Sequence, residues 1–238
     1  MKTLAELKVK IFADGADQES MVALYRNPLI KGFTTNPTLM RKAGITDYRG
    51  FAQRILEVIT DRPISLEVFS DDFDEMERQA REIASWGSNL YVKIPVTDTR
   101  GRKSTELVRT LAHDGLKLNV TAITTLEQVK EVAAAMANGP GGFVSLFAGR
   151  IADTGRDPVP IVNAAVNVLR PYPNLELIWA SPRELLNIFH ADEAGCHIIT
   201  VSHDLFTKLP LIGKDLGHYS LETVKMFRED AVRAGYRL

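Results

Sequence analysis

The sequence predicts an α/β fold closed into a (β/α)8 TIM barrel with an additional C-terminal helix. Short apolar or β-branched runs alternate about eight times with longer segments of helical periodicity. Each unit spans about 25–30 residues, the length at which a helical crossover joins two parallel strands. An open doubly wound sheet is the alternative, but residues 14–17 (DGAD) lack the glycine-rich phosphate loop that would follow its first strand.

The predicted elements follow this alternation. Eight strands are predicted over residues 9–14, 30–35, 64–69, 90–95, 118–123, 143–147, 175–180 and 198–202. The helices between them are predicted over residues 19–26, 47–60, 73–85, 103–113, 126–138, 159–170, 182–189 and 204–209. A last amphipathic helix is predicted over residues 221–234, so residues 1–238 form one barrel domain with residues 218–238 as its C-terminal helical extension. The apolar stripe of that helix, which includes Val224 and Phe227, is expected to cover its own barrel, with contact to a neighbouring subunit as the alternative.

Local signals predict where several helices begin. Asp72 stands at the N-cap position before residue 73, and Thr125 with Gln128 three residues later matches a capping box. Ser181 before Pro182 places a cap residue ahead of a proline at the first helical position.

Composition and charge narrow the class of protein. The 238 residues are 45% hydrophobic and 25% charged, as in an ordinary soluble globular protein. A net charge of -1 does not indicate a positively charged surface that would bind nucleic acid or an anionic membrane. Small molecules and copies of the same chain are therefore the expected partners. The single cysteine, Cys196, favours a reducing compartment. The absence of a signal-peptide core in residues 1–6 leads us to expect a cytoplasmic protein.

The fourth predicted strand carries a lysine in an otherwise apolar run, residues 90–96 (LYVKIPV). Side chains alternate between the two faces of a strand, and in a barrel one face packs on the helices while the other lines the interior. Val92 and Ile94 are expected to meet the helices. Tyr91, Lys93 and Pro95 are therefore expected to face the barrel interior.

The same alternation turns polar side chains inward on the neighbouring strands. The inward set comprises Asp14, Ser65, Glu67, Asn119, Thr121 and Ser145, together with the aromatic side chains Phe12 and Phe147. A barrel built only for stability would fill its interior with Val, Ile and Leu. Because an unpaired buried polar group costs about 1–3 kcal/mol, these groups are predicted to form a hydrogen-bonded network.

A buried lysine in this setting has two interpretations. In one, Glu67 or Asp14 neutralises Lys93 as a structural ion pair, but such pairs add little stability over an apolar replacement and leave the other polar groups unexplained. In the other, burial disfavours the ammonium form, and the neutral amine is a nucleophile for carbonyl carbon. The predicted chemistry is Schiff-base formation with a ketone or aldehyde, while a carboxylate and a hydroxyl move protons.

Two arginines are predicted at one rim of the barrel. Arg150 follows the sixth strand, and Arg183 follows the seventh together with Ser181. TIM barrels commonly bind phosphate near their last strands, and arginine supplies a bidentate fork for it. A phosphorylated substrate is therefore predicted. The five histidines show no metal-ligand spacing, and no metal or other cofactor is expected.

Five short segments of the sequence give a more specific indication of the type of protein. They are residues 31–39 (KGFTTNPTL), 90–95 (LYVKIP), 118–121 (LNVT), 145–150 (SLFAGR) and 180–183 (ASPR). In this order they resemble the motifs of transaldolases and of the closely related fructose-6-phosphate aldolases. The resemblance implies a class I, metal-free (β/α)8 enzyme in which Lys93 forms the Schiff base that carries a dihydroxyacetone unit between sugar phosphates. It also implies a homo-oligomer, because small members of the family often form ring-like assemblies.

The resemblance implies roles for further residues. Asp14 looks like the carboxylate that handles the C4 hydroxyl proton, while Glu67 and Thr121 look like the pair that positions the catalytic water. The substrate-binding roles fall to Asn36 and Asn119 for the dihydroxyacetone hydroxyls, to Ser145 for other substrate hydroxyls, and to Arg150, Ser181 and Arg183 for the phosphate.

Two positions bear on the type of reaction. Glu67 and Phe147 resemble the residues that transaldolases have at these two positions, whereas the hydrolytic aldolases tend to have glutamine and tyrosine there. The expected reaction is transfer of dihydroxyacetone from a ketose phosphate, such as fructose 6-phosphate or sedoheptulose 7-phosphate, to an aldose phosphate. A dihydroxyacetone-dependent aldolase with the same first half-reaction is the alternative. A barrel that binds sugar phosphate without turning it over is a third possibility.

Overall fold

The computed structural model describes residues 2–237 and contains a closed barrel of parallel strands. The strands are β1 (Lys10–Asp14), β2 (Ile30–Thr34), β3 (Ile64–Glu67), β4 (Leu90–Pro95), β5 (Leu118–Ile123), β6 (Gly142–Leu146), β7 (Leu175–Trp179) and β8 (Ile198–Ser202). Each strand pairs with the next along the chain, and β8 closes onto β1. The predicted (β/α)8 barrel is confirmed, and the predicted strand ends agree with the observed ones within two residues.

Helices surround the barrel and continue beyond it. They are α1 (Gln18–Tyr25), α2 (Pro37–Lys42), α3 (Tyr48–Val58), α4 (Phe73–Ala84), α5 (Thr105–His113), α6 (Leu126–Met136), α7 (Ala148–Ala152), α8 (Val159–Leu169), α9 (Leu186–Glu193), α10 (His203–Phe206) and α11 (Leu216–Arg233). The sequence did not predict α2 and α7, because six and five residues are too few to show a helical period.

Two of the three predicted helix starts are confirmed. The Asp72 carboxylate accepts a hydrogen bond from the backbone N–H of Glu75, and Thr125 with Gln128 forms a capping box. The start at Ser181 is wrong, because α9 begins at Leu186. Ser181 instead adopts a left-handed backbone conformation with φ 57°, so the segment after β7 turns at the barrel rim before the helix begins.

The barrel interior is divided into an apolar half and a polar half. Val92 and Ile94 are fully buried on the outer face, as predicted. Inside, the apolar layer comprises Phe12, Phe143, Ile178, Ala180 and Ile198, with Tyr91 and Phe147 packed against it. The Phe143 ring stacks on Tyr91 with centroids 4.1 Å apart and meets Phe12 edge-on at 5.6 Å. This aromatic layer supports the polar side chains that follow it towards the carboxyl ends of the strands.

The C-terminal helix α11 departs from the prediction that it covers its own barrel. None of its residues is buried. Its exposed large apolar side chains are Leu216, Tyr219, Leu221, Val224, Met226, Phe227 and Val232. The amphipathic pattern correctly indicated an apolar face, but a pattern carries no information about which surface that face meets. Among residues 2–237 no helix combines the length and the apolar character needed to cross a membrane.

Candidate active site

Strand register brings the polar side chains together. Glu67 of β3 pairs with Lys93 of β4, which in turn pairs with Asn119 of β5. Across the barrel, Asp14 of β1 pairs with Thr34 of β2. Because all strands are parallel, these side chains lie near the carboxyl ends of the strands, the face on which TIM-barrel active sites are built.

A cavity of about 530 Å³ opens at this end of the barrel. Ten of the eleven site residues predicted from the sequence line it, namely Asp14, Asn36, Glu67, Lys93, Thr121, Ser145, Phe147, Arg150, Ser181 and Arg183. The inward orientation that strand alternation predicts for Asp14, Glu67, Lys93, Thr121, Ser145 and Phe147 is thus confirmed. Asn119 also faces inward but does not line the cavity, since it is fully buried among the side chains beneath it.

Lys93 occupies the floor of the cavity and is only 6% exposed. Its Nζ atom donates a hydrogen bond to the backbone carbonyl of Thr35 at 3.0 Å and lies 3.3 Å from Oε2 of Glu67. The Tyr48 hydroxyl donates to the backbone carbonyl of Glu67 at 2.8 Å and so anchors the end of β3. The lysine is therefore held in one position, with its amine reachable from the cavity.

The two carboxylates of the cavity are both shifted by burial. Desolvation raises the pKa of Asp14, while the positive charge of Lys93 and a hydrogen bond from Thr34 partly oppose that shift. Desolvation also raises the pKa of Glu67, which Lys93 opposes and the nearby Asp14 reinforces. A carboxylate whose pKa moves towards neutral becomes a more effective carrier of protons at physiological pH.

Thr121 presents a hydroxyl with unused hydrogen-bonding capacity. The hydroxyl is buried at the cavity wall and has no hydrogen-bond partner among residues 2–237. The next residue, Ala122, adopts a left-handed backbone conformation with φ 61°, and the pairing of β5 with β6 shifts register there. Since buried polar groups in native proteins are normally paired, this hydroxyl is suited to bond a substrate or a water held in the cavity.

Asn119 is held by a network beneath the cavity. Its Nδ2 donates to Oγ of Ser65 at 2.9 Å, and its Oδ1 accepts from Oγ of Ser145 at 2.7 Å. Ser145 lines the cavity directly, so its hydrogen bond to Asn119 orients the Ser145 hydroxyl at the cavity wall. Asn36 is differently engaged, because its Oδ1 caps α2 by accepting from the backbone N–H of Leu39 at 3.0 Å.

The rim carries the two predicted arginines. Arg150 lies on α7 and Arg183 on the turn after β7, and both line the cavity. Arg183 makes a bidentate ion pair with Asp153, with Nε 3.0 Å from Oδ1 and Nη2 2.5 Å from Oδ2. The backbone N–H of Arg183 donates to Oδ1 of Asn187 at 2.8 Å, so an anion at this rim would be bound by side chains rather than by that amide.

A close backbone contact fixes the shape of this rim. A Cβ atom placed on Gly149 would lie 1.5 Å from the carbonyl oxygen of Ser181. Only glycine therefore permits α7 to approach the turn after β7. Together with the left-handed conformation of Ser181, this contact places the turn next to the helix that carries Arg150.

Seven residues that line the cavity are not among the predicted site residues, and two of them, Thr34 and Thr200, are polar side chains on strands. Thr34 and Thr200 line the cavity from β2 and β8. Strand alternation along β2 and β8 is the signal that finds both, because it turns them inward, opposite the buried outward residues Phe33 and Val201. Within residues 2–237, no group of three or more His, Cys, Asp or Glu side chains is arranged to hold a metal ion.

The chain belongs to the Transaldolase/Fructose-6-phosphate aldolase family, which it matches over residues 11–237. The barrel, the cavity that a buried lysine and two carboxylates line, and the family match together indicate a (β/α)8 barrel enzyme of the transaldolase/aldolase type.

Relatives of the chain carry the same family name. It is 37% identical over 214 residues to "Probable transaldolase 2" of Listeria monocytogenes, covering 87% of this chain and 93% of that protein. It is 35% identical over 236 residues to "Probable transaldolase" of a Thermoanaerobacter species, covering 97% of this chain and 100% of that protein. A third relative, "Probable transaldolase" of Dehalococcoides mccartyi, is 34% identical over 202 residues, with 84% and 90% covered.

Solved structures support the fold. "QR15, an Aldolase" superposes with a TM-score of 0.57 at 13% identity, covering 88% of this chain and 99% of that one. A dihydrodipicolinate synthase from Rhodopseudomonas palustris superposes with a TM-score of 0.57 at 14% identity, covering 93% and 80%. At these identities the likeness concerns the barrel alone.

Proposed function

We propose that the protein is a transaldolase that transfers a dihydroxyacetone unit from a ketose phosphate to an aldose phosphate through a Schiff base on Lys93. The observation that carries the proposal is the position of the Lys93 amine. It is buried on the cavity floor, 3.3 Å from Glu67, and the Thr121 hydroxyl, which has no hydrogen-bond partner within residues 2–237, lines the same cavity. A structural ion pair has no need of a cavity around it.

The first step forms the covalent intermediate. The neutral amine of Lys93 attacks C2 of the ketose phosphate and gives a carbinolamine. Loss of the C2 oxygen as water then gives the Schiff base. That departure needs a proton, which Glu67 supplies through a water that the Thr121 hydroxyl positions. The raised pKa of Glu67 suits it to hold and release this proton.

The second step breaks and remakes a carbon–carbon bond. The Asp14 carboxylate accepts the proton of the C4 hydroxyl, the C3–C4 bond breaks, and its electron pair moves towards the Schiff base to form an enamine. An aldose phosphate leaves and another enters. C3 of the enamine attacks the carbonyl carbon of the incoming aldose, whose oxygen takes the proton back from Asp14. Hydrolysis of the new Schiff base frees Lys93.

Binding of the sugar is divided between floor and rim. Ser145, supported by Asn119, and the side-chain NH2 group of Asn36 hold the hydroxyls of the three-carbon unit. The phosphate meets Arg150, Ser181 and Arg183 at the rim. Arg183 remains oriented by Asp153 through Nε and Nη2, which leaves its other amino group, Nη1, to bind the phosphate.

A two-substrate assay tests the transfer reaction. With fructose 6-phosphate and erythrose 4-phosphate, we expect sedoheptulose 7-phosphate and glyceraldehyde 3-phosphate to form in equal amounts. Omitting the acceptor should stop the reaction after a single turnover. Steady release of free dihydroxyacetone without acceptor would instead support the aldolase alternative.

Phe147 controls the fate of the three-carbon unit in this proposal. It lines the cavity without a polar group, so it offers no partner to a water beside the enamine. In Phe147→Tyr the new hydroxyl can orient such a water, and we expect acceptor-free release of dihydroxyacetone to rise about tenfold. The matched control is Phe69→Tyr at an exposed aromatic outside the cavity, which should leave the release rate unchanged. An unchanged rate in Phe147→Tyr would remove Phe147 from this role.

We also propose that the protein assembles as a homo-oligomer through α11. This helix has 18 residues, none of them buried, and it exposes apolar side chains along its length. Light scattering should give a mass that is a multiple of 26.4 kDa. Replacing Val224 and Phe227 together by glutamate should reduce it to the mass of one chain, whereas an oligomer that survives the double replacement would exclude α11 as the contact.

A further inference from the structure

Asp14 is held in a different way from Glu67. Glu67 faces Lys93 directly, whereas the Asp14 carboxylate accepts a hydrogen bond from the Thr34 hydroxyl at 2.7 Å. Thr34 in turn lies 2.5 Å from the hydroxyl of Thr200. The three side chains come from β1 and from the two strands that pair with it, β2 and β8.

The direction of these hydrogen bonds follows from counting protons. A threonine hydroxyl has one proton to donate and two lone pairs that accept. Thr34 gives its proton to the ionised Asp14, so in the contact with Thr200 it can only accept. Thr200 therefore donates to Thr34, and the chain runs from Thr200 through Thr34 to Asp14. Hydrogen bonds in such a chain polarise and strengthen one another.

The placement of the Thr200 hydroxyl indicates that it serves this chain rather than packing. Thr200 is 5% exposed and Thr34 is 2% exposed, so neither hydroxyl is well hydrated. Two residues earlier on β8, the interior position is filled by Ile198 of the apolar layer. Valine has the same shape as threonine and would fill the barrel at residue 200 without the cost of burying a hydroxyl.

We infer that Thr200 is a positioning residue for the reaction: through Thr34 its hydroxyl orients the Asp14 carboxylate towards the C4 hydroxyl of the bound sugar. This inference rests on the proposed function of Asp14. Without the Thr200 hydroxyl, Thr34 can still donate its own proton to Asp14, but it loses the donor that fixes the rotation of its hydroxyl. The Asp14 carboxylate then spends less time in the orientation that accepts the substrate proton.

The test compares Thr200→Val with Thr200→Ser. We expect Thr200→Val to lower kcat about tenfold, as for loss of one hydrogen bond that aligns a general base, with KM within about twofold. Thr200→Ser keeps the donor and should restore most of kcat. The free energy of unfolding of Thr200→Val should not fall. The control is Ser104→Ala, which removes a buried hydroxyl bonded to the Pro95 carbonyl at 2.7 Å and should leave kcat unchanged.

Several outcomes would overturn the inference. A wild-type kcat in Thr200→Val, an equal loss of kcat in Thr200→Ser, or a rise in KM with no change in kcat would each do so. Borohydride trapping of the wild-type protein with fructose 6-phosphate separates this failure from failure of the proposed function. If Lys93 is trapped in the wild type and Thr200→Val is fully active, only the role of Thr200 fails. If Lys93 is not trapped, the proposed function itself fails.

Discussion

Lys93→Met is expected to abolish turnover, lowering kcat at least about 10⁴-fold, as loss of a covalent nucleophile does in other enzymes. Methionine matches the length of the lysine stem and fits an apolar wall, but its thioether cannot attack a carbonyl. The variant should stay folded. Burial already raises the pKa of Glu67, so this carboxylate can take up a proton when its cationic partner is lost. We expect a stability cost of up to about 3 kcal/mol, which a domain stabilised by about 5–15 kcal/mol tolerates.

Steady-state kinetics and the circular dichroism of the purified variant check this expectation. The matched control is Lys117→Met. Lys117 bonds the Ser88 carbonyl at an exposed position and should be replaceable with full activity. An unfolded Lys93→Met protein would mean that Lys93 is structural. A folded protein that keeps more than a few per cent of the wild-type rate would rule out the Schiff base.

Asp14→Asn is expected to separate the two chemical steps. Removal of the base for C3–C4 cleavage should lower kcat by at least about 10²-fold. Lys93 and Glu67 remain in place, so the Schiff base should still form and accumulate. Rapid mixing followed by borohydride should therefore label Asp14→Asn at least as fully as the wild type. Loss of both labelling and turnover would show that Asp14 acts before bond cleavage.

The same substitution is expected to stabilise the fold at neutral pH. Burial raises the pKa of Asp14 above its ordinary value, so the folded state binds this proton more tightly than the unfolded state. The wild type therefore loses stability as pH rises from about 4 through the folded pKa of Asp14. Asparagine carries no such charge, and Asp14→Asn should gain about 1 kcal/mol at pH 8 and much less at pH 4.

Urea denaturation at the two pH values measures this gain. Asp71→Asn is a control in which the free energy of unfolding should change in the opposite direction, because hydrogen bonds from the hydroxyl and backbone N–H of Thr99 lower the pKa of Asp71. It should lose stability at pH 8. An Asp14→Asn protein that is less stable than the wild type at pH 8 would show that attraction to Lys93 outweighs the burial of Asp14.

Much of this site could be predicted from strand alternation. Lys93 in its apolar strand must face either the helices or the barrel interior. Since its apolar neighbours Val92 and Ile94 pack on the helices, Lys93 faces the interior. Applied to the other strands, the same rule brought Asp14, Glu67 and Thr121 into one cavity. The rule works because the inward-facing side chains of every strand in a closed barrel share one interior.

Other features depend on distances that no local pattern contains. Asn119 faces inward as predicted, but its amide is taken up by Ser65 and Ser145, and only the packed structure shows this. Ser181 before Pro182 looked like a helix cap, whereas the close approach of Gly149 places a left-handed turn there. The ion pair between Arg183 and Asp153 likewise joins two loops that are remote in sequence.

Reductive trapping tests the central claim most directly. Wild-type protein is incubated with fructose 6-phosphate and borohydride, digested, and analysed by peptide mass. The proposed mechanism requires one covalent adduct, on the peptide that contains Lys93, with none on the peptide that contains Lys117. An unmodified Lys93, or an adduct confined to another lysine, would contradict the mechanism and leave a barrel that binds sugar phosphate without forming a covalent bond through Lys93.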